Sequence, residues 1–115
     1  MHEISLACGI VRVVEEAAAR ENFCRVAQIQ LEIGSLAGVE QQALRFALTA
    51  MTPGTCLEES EITINEIHGL AHCLCCKASV DVTSHLDACP QCGMYALQAT
   101  GGFEVRIADL VVFND

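Results

Sequence analysis

Basic residues are scarce in this chain: six Lys and Arg stand against fifteen Asp and Glu in 115 residues, a formal charge of −9. Such a surface repels phosphate backbones. The segment from Gly69 to Gly102 holds five of the eight cysteines, yet its only basic residue besides histidine is Lys77. The footprint of nucleic-acid binding is therefore missing, and no nucleic-acid partner is expected. Long apolar runs are missing too. None approaches the roughly 20 residues that cross a bilayer, so no membrane span is expected. Met1-His2-Glu3 opens the chain without the basic region and cleavage site of an export signal, so the expectation is a soluble, cytoplasmic protein. Nor is there a nucleophile beside a recognisable base, or a glycine loop that could cradle phosphate. Gly101-Gly102 reads only as a turn, and an enzyme is not expected.

What is present is periodic. From Ile4 to Ala19, Leu6, Ala7, Ile10, Val13, Val14, Ala17 and Ala18 recur at helical spacing, with Arg12, Glu15 and Glu16 elsewhere. Asn22 ends that pattern. Ala27 to Gly34 then alternates Ile29, Leu31 and Ile33 with Gln28, Gln30 and Glu32, the period of a strand with one wet face. Gly34, Ser35 and Gly38 supply a turn. A second helix is expected over Gln41 to Met51, on Leu44, Ala47, Leu48 and Met51, stopping before Pro53-Gly54. Two further strands are expected, one over Glu61–Ile67 and one carrying Phe103, Val105 and Ile107 on a single face. The fold class is thus α+β: a small mixed sheet of about three strands with two helices on it, interrupted by a cysteine-bearing insert. The expected boundaries are 1–68 with 103–115 for the discontinuous α/β domain, and 69–102 for the insert.

Cys73-x-x-Cys76 and Cys89-x-x-Cys92 give that insert its chemistry. Each tight turn presents two sulfurs, and two such turns complete a tetrahedron of thiolates around zinc, in a zinc-ribbon-like module. A segment this short buries too little apolar surface to fold unaided. Structural zinc binding is worth on the order of 10 to 16 kcal/mol, which implies a permanent ion in a closed site. Cys75 offers a shifted register, ranked below the regular pairs. His68, His72 and His85 lie close enough to become substitute ligands if thiolates are protonated, but they read as exposed loop residues, with His72 the first candidate for an exception. Cys8, Cys24 and Cys56 read as small buried hydrophobes.

A free amine, the next backbone nitrogen once deprotonated, and an imidazole at position 2 can wrap Ni(II) or Cu(II) in fused chelate rings. Met1-His2 offers that set, and Glu3 can add its backbone nitrogen or carboxylate. Met1-His2-Glu3 heading an amphipathic helix, Leu31-Glu32-Ile33-Gly34 closing a strand, and the late pair of Cys-x-x-Cys motifs together resemble the HypA/HybF family of hydrogenase nickel-incorporation proteins. The resemblance covers essentially the whole chain. It implies a nickel metallochaperone that delivers Ni(II) for maturation of nickel-iron (NiFe) hydrogenase. Met1, His2 and Glu3 then form the nickel-binding motif, and Cys73, Cys76, Cys89 and Cys92 hold structural Zn(II). It also implies two partners: a nickel-handling GTPase of hydrogenase maturation and the immature large subunit of the hydrogenase. The alternative is a zinc-stapled protein-protein adaptor that binds no nickel.

Overall fold

The alternation around Ile29, Leu31 and Ile33 builds the strand it implies. β1 spans Val26–Gly34, and these three side chains are at most 1% exposed. The computed structural model describes residues 2–113. Ahead of β1 lies α1, His2–Glu21, which buries Ala7, Ile10, Val14 and Ala18, one residue per turn on a single face. It starts two residues earlier than its apolar period, so His2 and Glu3 belong to its first turn. It stops where Asn22 adopts φ 61° and Phe23 N–H bonds Ala18 O at 3.1 Å, a left-handed cap that satisfies an orphan carbonyl.

α2, Gln41–Met51, packs along α1 and buries Leu44, Ala47 and Leu48. Glu40 caps its start: the carboxylate accepts from Gln42 N–H at 3.2 Å and Ala43 N–H at 2.7 Å. Its end is closed by Thr52 N–H to Leu48 O, just before Pro53.

β2 (Glu61–Ile67) and β6 (Val105–Val112) flank β1 in a sheet of order β2-β1-β6. Ser60 Oγ bonds Val26 O and Ser35 N–H bonds Ile67 O, so β2 runs parallel to β1. Gly34 N–H bonds Glu104 O and Phe113 N–H bonds Arg25 O, so β6 runs antiparallel. The sheet is mixed, a parallel pair joined through a helix with a late antiparallel strand on the other edge of β1. Phe103 is a correction: it lies before β6 and is exposed, because the chain turns at Gly102, φ 89°, and the strand begins only at Val105.

A second three-stranded sheet has the order β4-β3-β5, from β3 (Gly69–Cys73), β4 (Ser79–Val82) and β5 (Leu97–Gly101). β3 pairs antiparallel with both neighbours. The chain divides into two compact units, one of residues 1–31, 39–64 and 107–115, the other of residues 32–38 and 65–106. In the second, Leu36, Ala71, Cys73, Val80, Val82 and Cys89 form a small core. Gly34 in that unit cannot carry a side chain, since a Cβ there would stand 2.0 Å from Gly102 O. The class is α+β: two helices, two small sheets and a four-cysteine cluster.

Candidate metal centre

Two turns of the same design place the four sulfurs. At the end of β3, Lys77 N–H bonds Cys73 O at 2.9 Å and Cys73 N–H bonds Ala78 O at 2.8 Å, with Lys77 at φ 63°. Sixteen residues on, Gly93 N–H bonds Cys89 O at 2.8 Å and Cys89 N–H bonds Met94 O at 2.9 Å, with Gly93 at φ 76°. Each turn curls its backbone around the first cysteine and brings the second alongside. Leu74 N–H bonds Ala96 O at 2.9 Å and fastens the first turn to the chain leaving the second.

The sulfurs of Cys73, Cys76, Cys89 and Cys92 consequently all lie within 4.8 Å of one another, the one such convergence of His, Cys, Asp or Glu ligands among the described residues. Across the turns, Cys73 Sγ stands 3.6 Å from Cys92 Sγ, and Cys76 Sγ 3.7 Å from Cys89 Sγ. A zinc tetrahedron with bonds of about 2.3 Å has sulfur-sulfur edges of about 3.8 Å, so the donor set fits that ion. Its electrostatics agree. Backbone N–H groups aimed at the sulfur, Cys76's first, lower the Cys73 thiol to about 6. Cys89 is likewise lowered, chiefly by the Cys92 N–H. The N–H of Met94 favours the Cys92 thiolate, but burial and the neighbouring sulfurs outweigh it and push that thiol up to about 12. Cys76 is raised in the same way, against the N–H of Ala78. Four thiolates at this spacing require a cation among them.

The remaining candidates are dispersed. Cys75 is exposed and outside the cluster. His72 is a correction to the loop reading: it sits within β3, opposite Ser79 and Gln98, and is half-buried. His68 is exposed, and His85 Nε2 lies 3.3 Å from Leu36 O. Cys56 is buried as expected, but Cys8 and Cys24 are exposed. Cys8 follows buried Ala7 on α1 and so lies about 100° around the helix from it, which turns it to solvent.

At the other candidate site, Met1 lies outside the described residues. His2 is 59% exposed at its side chain, with Nδ1 3.6 Å from Glu3 Oε2. The same Glu3 oxygen accepts the backbone N–H of Glu40 at 3.1 Å, and this bond is the main reason its carboxyl titrates below the ordinary value. Glu40 was missed in the sequence because Glu is an uncommon helix cap. Its only signal was a position just before the α2 pattern.

A family model described as hydrogenase/urease nickel incorporation, metallochaperone, HypA, matches residues 1–112. The hydrogenase maturation factor HypA of Polaromonas naphthalenivorans is 48% identical over 115 residues, covering all of both chains. That of Cupriavidus necator is 51% identical over 112 residues, 97% of this chain and 94% of its own. The solution structure of the nickel metallochaperone HypA from Helicobacter pylori superposes with a TM-score of 0.68 at 16% identity, over 98% of each chain, a likeness of fold. No described helix is long and apolar enough to cross a membrane. A family match along nearly the full length, joined to relatives near one-half identity, settles the assignment: the chain belongs to the HypA family of hydrogenase/urease nickel-incorporation metallochaperones.

Proposed function

We propose that the chain binds Ni(II) at its N-terminus and delivers it for maturation of nickel-iron hydrogenase. The amine of Met1, the imidazole and backbone nitrogen of His2, and the backbone nitrogen of Glu3 are the donors. The observation that carries this reading is the exposed imidazole of His2 on the first turn of α1, with Nδ1 3.6 Å from the Glu3 carboxylate. The Glu3 carboxylate, held by Glu40 N–H, fixes the turn that presents them. An open terminal site suits release. A Kd on the order of 1 μM corresponds to about 8 kcal/mol, well below the stabilisation expected of a structural zinc.

Zinc is assigned to Cys73, Cys76, Cys89 and Cys92, where it holds the module of residues 69–102 together; the nickel-binding domain is residues 1–68 with 103–115. The working partners are a nickel-handling GTPase and the immature hydrogenase large subunit, met in the cytoplasm. The role is carriage of a metal, without catalysis.

Metal analysis and nickel titration of untagged protein test this, comparing the native chain with His2→Ala. One nickel beside one zinc, with the nickel alone lost in the variant, is the expected result. Stoichiometric nickel retained without His2 would sink the assignment. A second reading, the zinc-stapled adaptor, is favoured by Leu86 and Tyr95, which stand 85% and 82% exposed in the cysteine-bearing unit. It predicts zinc and no nickel in both proteins.

A further inference from the structure

The outer edge of β5 is a row of backbone donors and acceptors that the metal chemistry does not use. β5 ends the order β4-β3-β5, so among the described residues no strand pairs with its far side. Leu74 N–H bonds Ala96 O, and the register that sets Cys73 opposite Leu97 sets His72 opposite Gln98. Antiparallel pairs alternate between bonded and non-bonded, so Ala96 and Gln98 turn their peptide groups to β3. Leu97 and Ala99 then direct N–H and C=O away from it. The pairing is regular along this stretch, since the register shift falls between Leu70 and Ala71.

Sheets guard such an edge with lysine, proline or other charge. β5 has none of these. No charged residue occurs from Ala88 to Phe103, in a chain of net charge −9. The opposite edge, β4, carries Asp81, with Asp87 just beyond it. Exposed apolar side chains stand at both ends of the β5 edge, Met94 and Tyr95 before it and Phe103 after it.

We infer that β5 accepts an extended segment of a partner protein as a fourth strand of this sheet, and that the segment is uncharged and alternates apolar with small polar residues. Main-chain bonds to Leu97 and Ala99 hold it, and the faces it joins set its pattern. Leu97 and Ala99 pack on the core around the sulfurs, whereas Gln98 and Thr100 are exposed. Alternate side chains of the incoming strand therefore meet an apolar rim and a polar one. A charged segment would find no counter-ion along this edge. A second copy pairing β5 with β5 is opposed by size: the strand is 5 residues long. That is an edge of about 17 Å, far short of the roughly 1,200 Å² that a stable dimer buries. A segment that comes and goes needs no such area. The docking is independent of nickel binding at the N-terminus.

Nuclear magnetic resonance on the full-length, zinc-loaded chain tests this, with capped peptides of about ten residues that alternate Val or Ile with Thr or Ser as the probe. Each has a counterpart N-methylated at alternate residues, which removes its donors on one side and keeps its side chains. The expected result is saturable shifts and slowed hydrogen exchange at the Leu97 and Ala99 amides with the peptides, and neither with the N-methylated forms. Ala99→Pro deletes an outward donor at an edge position where proline is tolerated. Gln98→Lys adds a guarding charge at an exposed position, so it keeps the test decisive if Ala99→Pro fails to fold. Both are expected to bind at least tenfold more weakly, while Ser79→Lys, exposed on β4, keeps native affinity. Circular dichroism and zinc content check folding. No shift at Leu97 and Ala99 with any of the peptides overturns the proposal. So do equal binding of the N-methylated forms, native affinity in either folded β5 variant, or equal loss in Ser79→Lys. Shifts at these amides that grow with protein concentration alone give the edge to a second copy instead.

Discussion

The Glu3 carboxylate accepts the backbone N–H of Glu40 at 3.1 Å, so a residue in the first turn of α1 also grips the cap of α2. Glu3→Ala removes that acceptor. Hydrogen exchange is expected to quicken at the Glu40 amide, while amides in the middle of α1 keep their protection. The contact is also pH-dependent. The folded carboxyl titrates below its ordinary 4.5, so its stabilising effect is complete above that pH and fades as the pH falls through the lowered value. The native chain is therefore expected to lose Glu40 protection in acid, and Glu3→Ala to show no such titration.

Zinc uptake is expected to release protons. Cys92, pushed up to about 12, and Cys76, raised above 9.0, carry protons at pH 7 to 8, whereas Cys73 at about 6 does not. The logarithm of the apparent zinc affinity should rise by at least two for each pH unit in that range, one for each of these two thiols. The slope should steepen below about pH 6, where Cys73 also protonates. Competition against a chelator across pH 5 to 8 measures it, and a flat profile would contradict the four-thiolate assignment.

Removing the metal should unfold one region and spare another. The core around the sulfurs consists of Leu36 and small residues, too little apolar area to hold β3, β4 and β5 without the ion. Chelation, or Cys89→Ser, is expected to abolish exchange protection in these strands while the helical signal of α1 and α2 persists. Cys75→Ser should leave zinc content unchanged, since its sulfur lies outside the cluster.

Glycine positions divide sharply. Gly34→Ala drives a Cβ to 2.0 Å from the Gly102 carbonyl, a backbone clash expected to cost about 3 kcal/mol or more. Gly9→Ala meets nothing within 4 Å inside α1 and should stabilise the chain by about 0.5–1 kcal/mol. Thermal denaturation of the two variants distinguishes them by sign.

The two cysteine turns differ at one equivalent position. Lys77 holds φ 63° where its counterpart, Gly93, holds φ 76°. Left-handed backbone costs a side-chain-bearing residue about 1–2 kcal/mol. Lys77→Gly is expected to recover part of that, seen as slower zinc loss to a chelator.

Legibility in the sequence followed the physics of each element. Ile29, Leu31 and Ile33 declared β1 because one face of that strand is buried and the other wet. Leu44, Ala47 and Leu48 declared α2 for the corresponding reason. The four cysteines stood out because turn and ligand spacing coincide, and the structure brings their sulfurs together. The second sheet was not legible. Leu97–Gly101 reads Leu-Gln-Ala-Thr-Gly, and strands that pack on a thiolate cluster need little apolar alternation of their own. Cys8 and Cys24 were misplaced because a lone cysteine has no period to reveal its face. The Glu3–Glu40 bond joins residues 37 apart through a backbone donor, which leaves no trace in side-chain pattern.

The sheet order β2-β1-β6 sets a timetable for synthesis. β1 is made early, but its antiparallel neighbour begins only at Val105, after both cysteine turns have been translated. A nascent chain on the ribosome can form α1 and pair β1 with β2, yet one edge of β1 stays unpaired until the whole four-cysteine segment has emerged. Such an edge invites mispairing. Supply of zinc during translation, by folding that segment promptly, should therefore govern how much of the chain escapes aggregation.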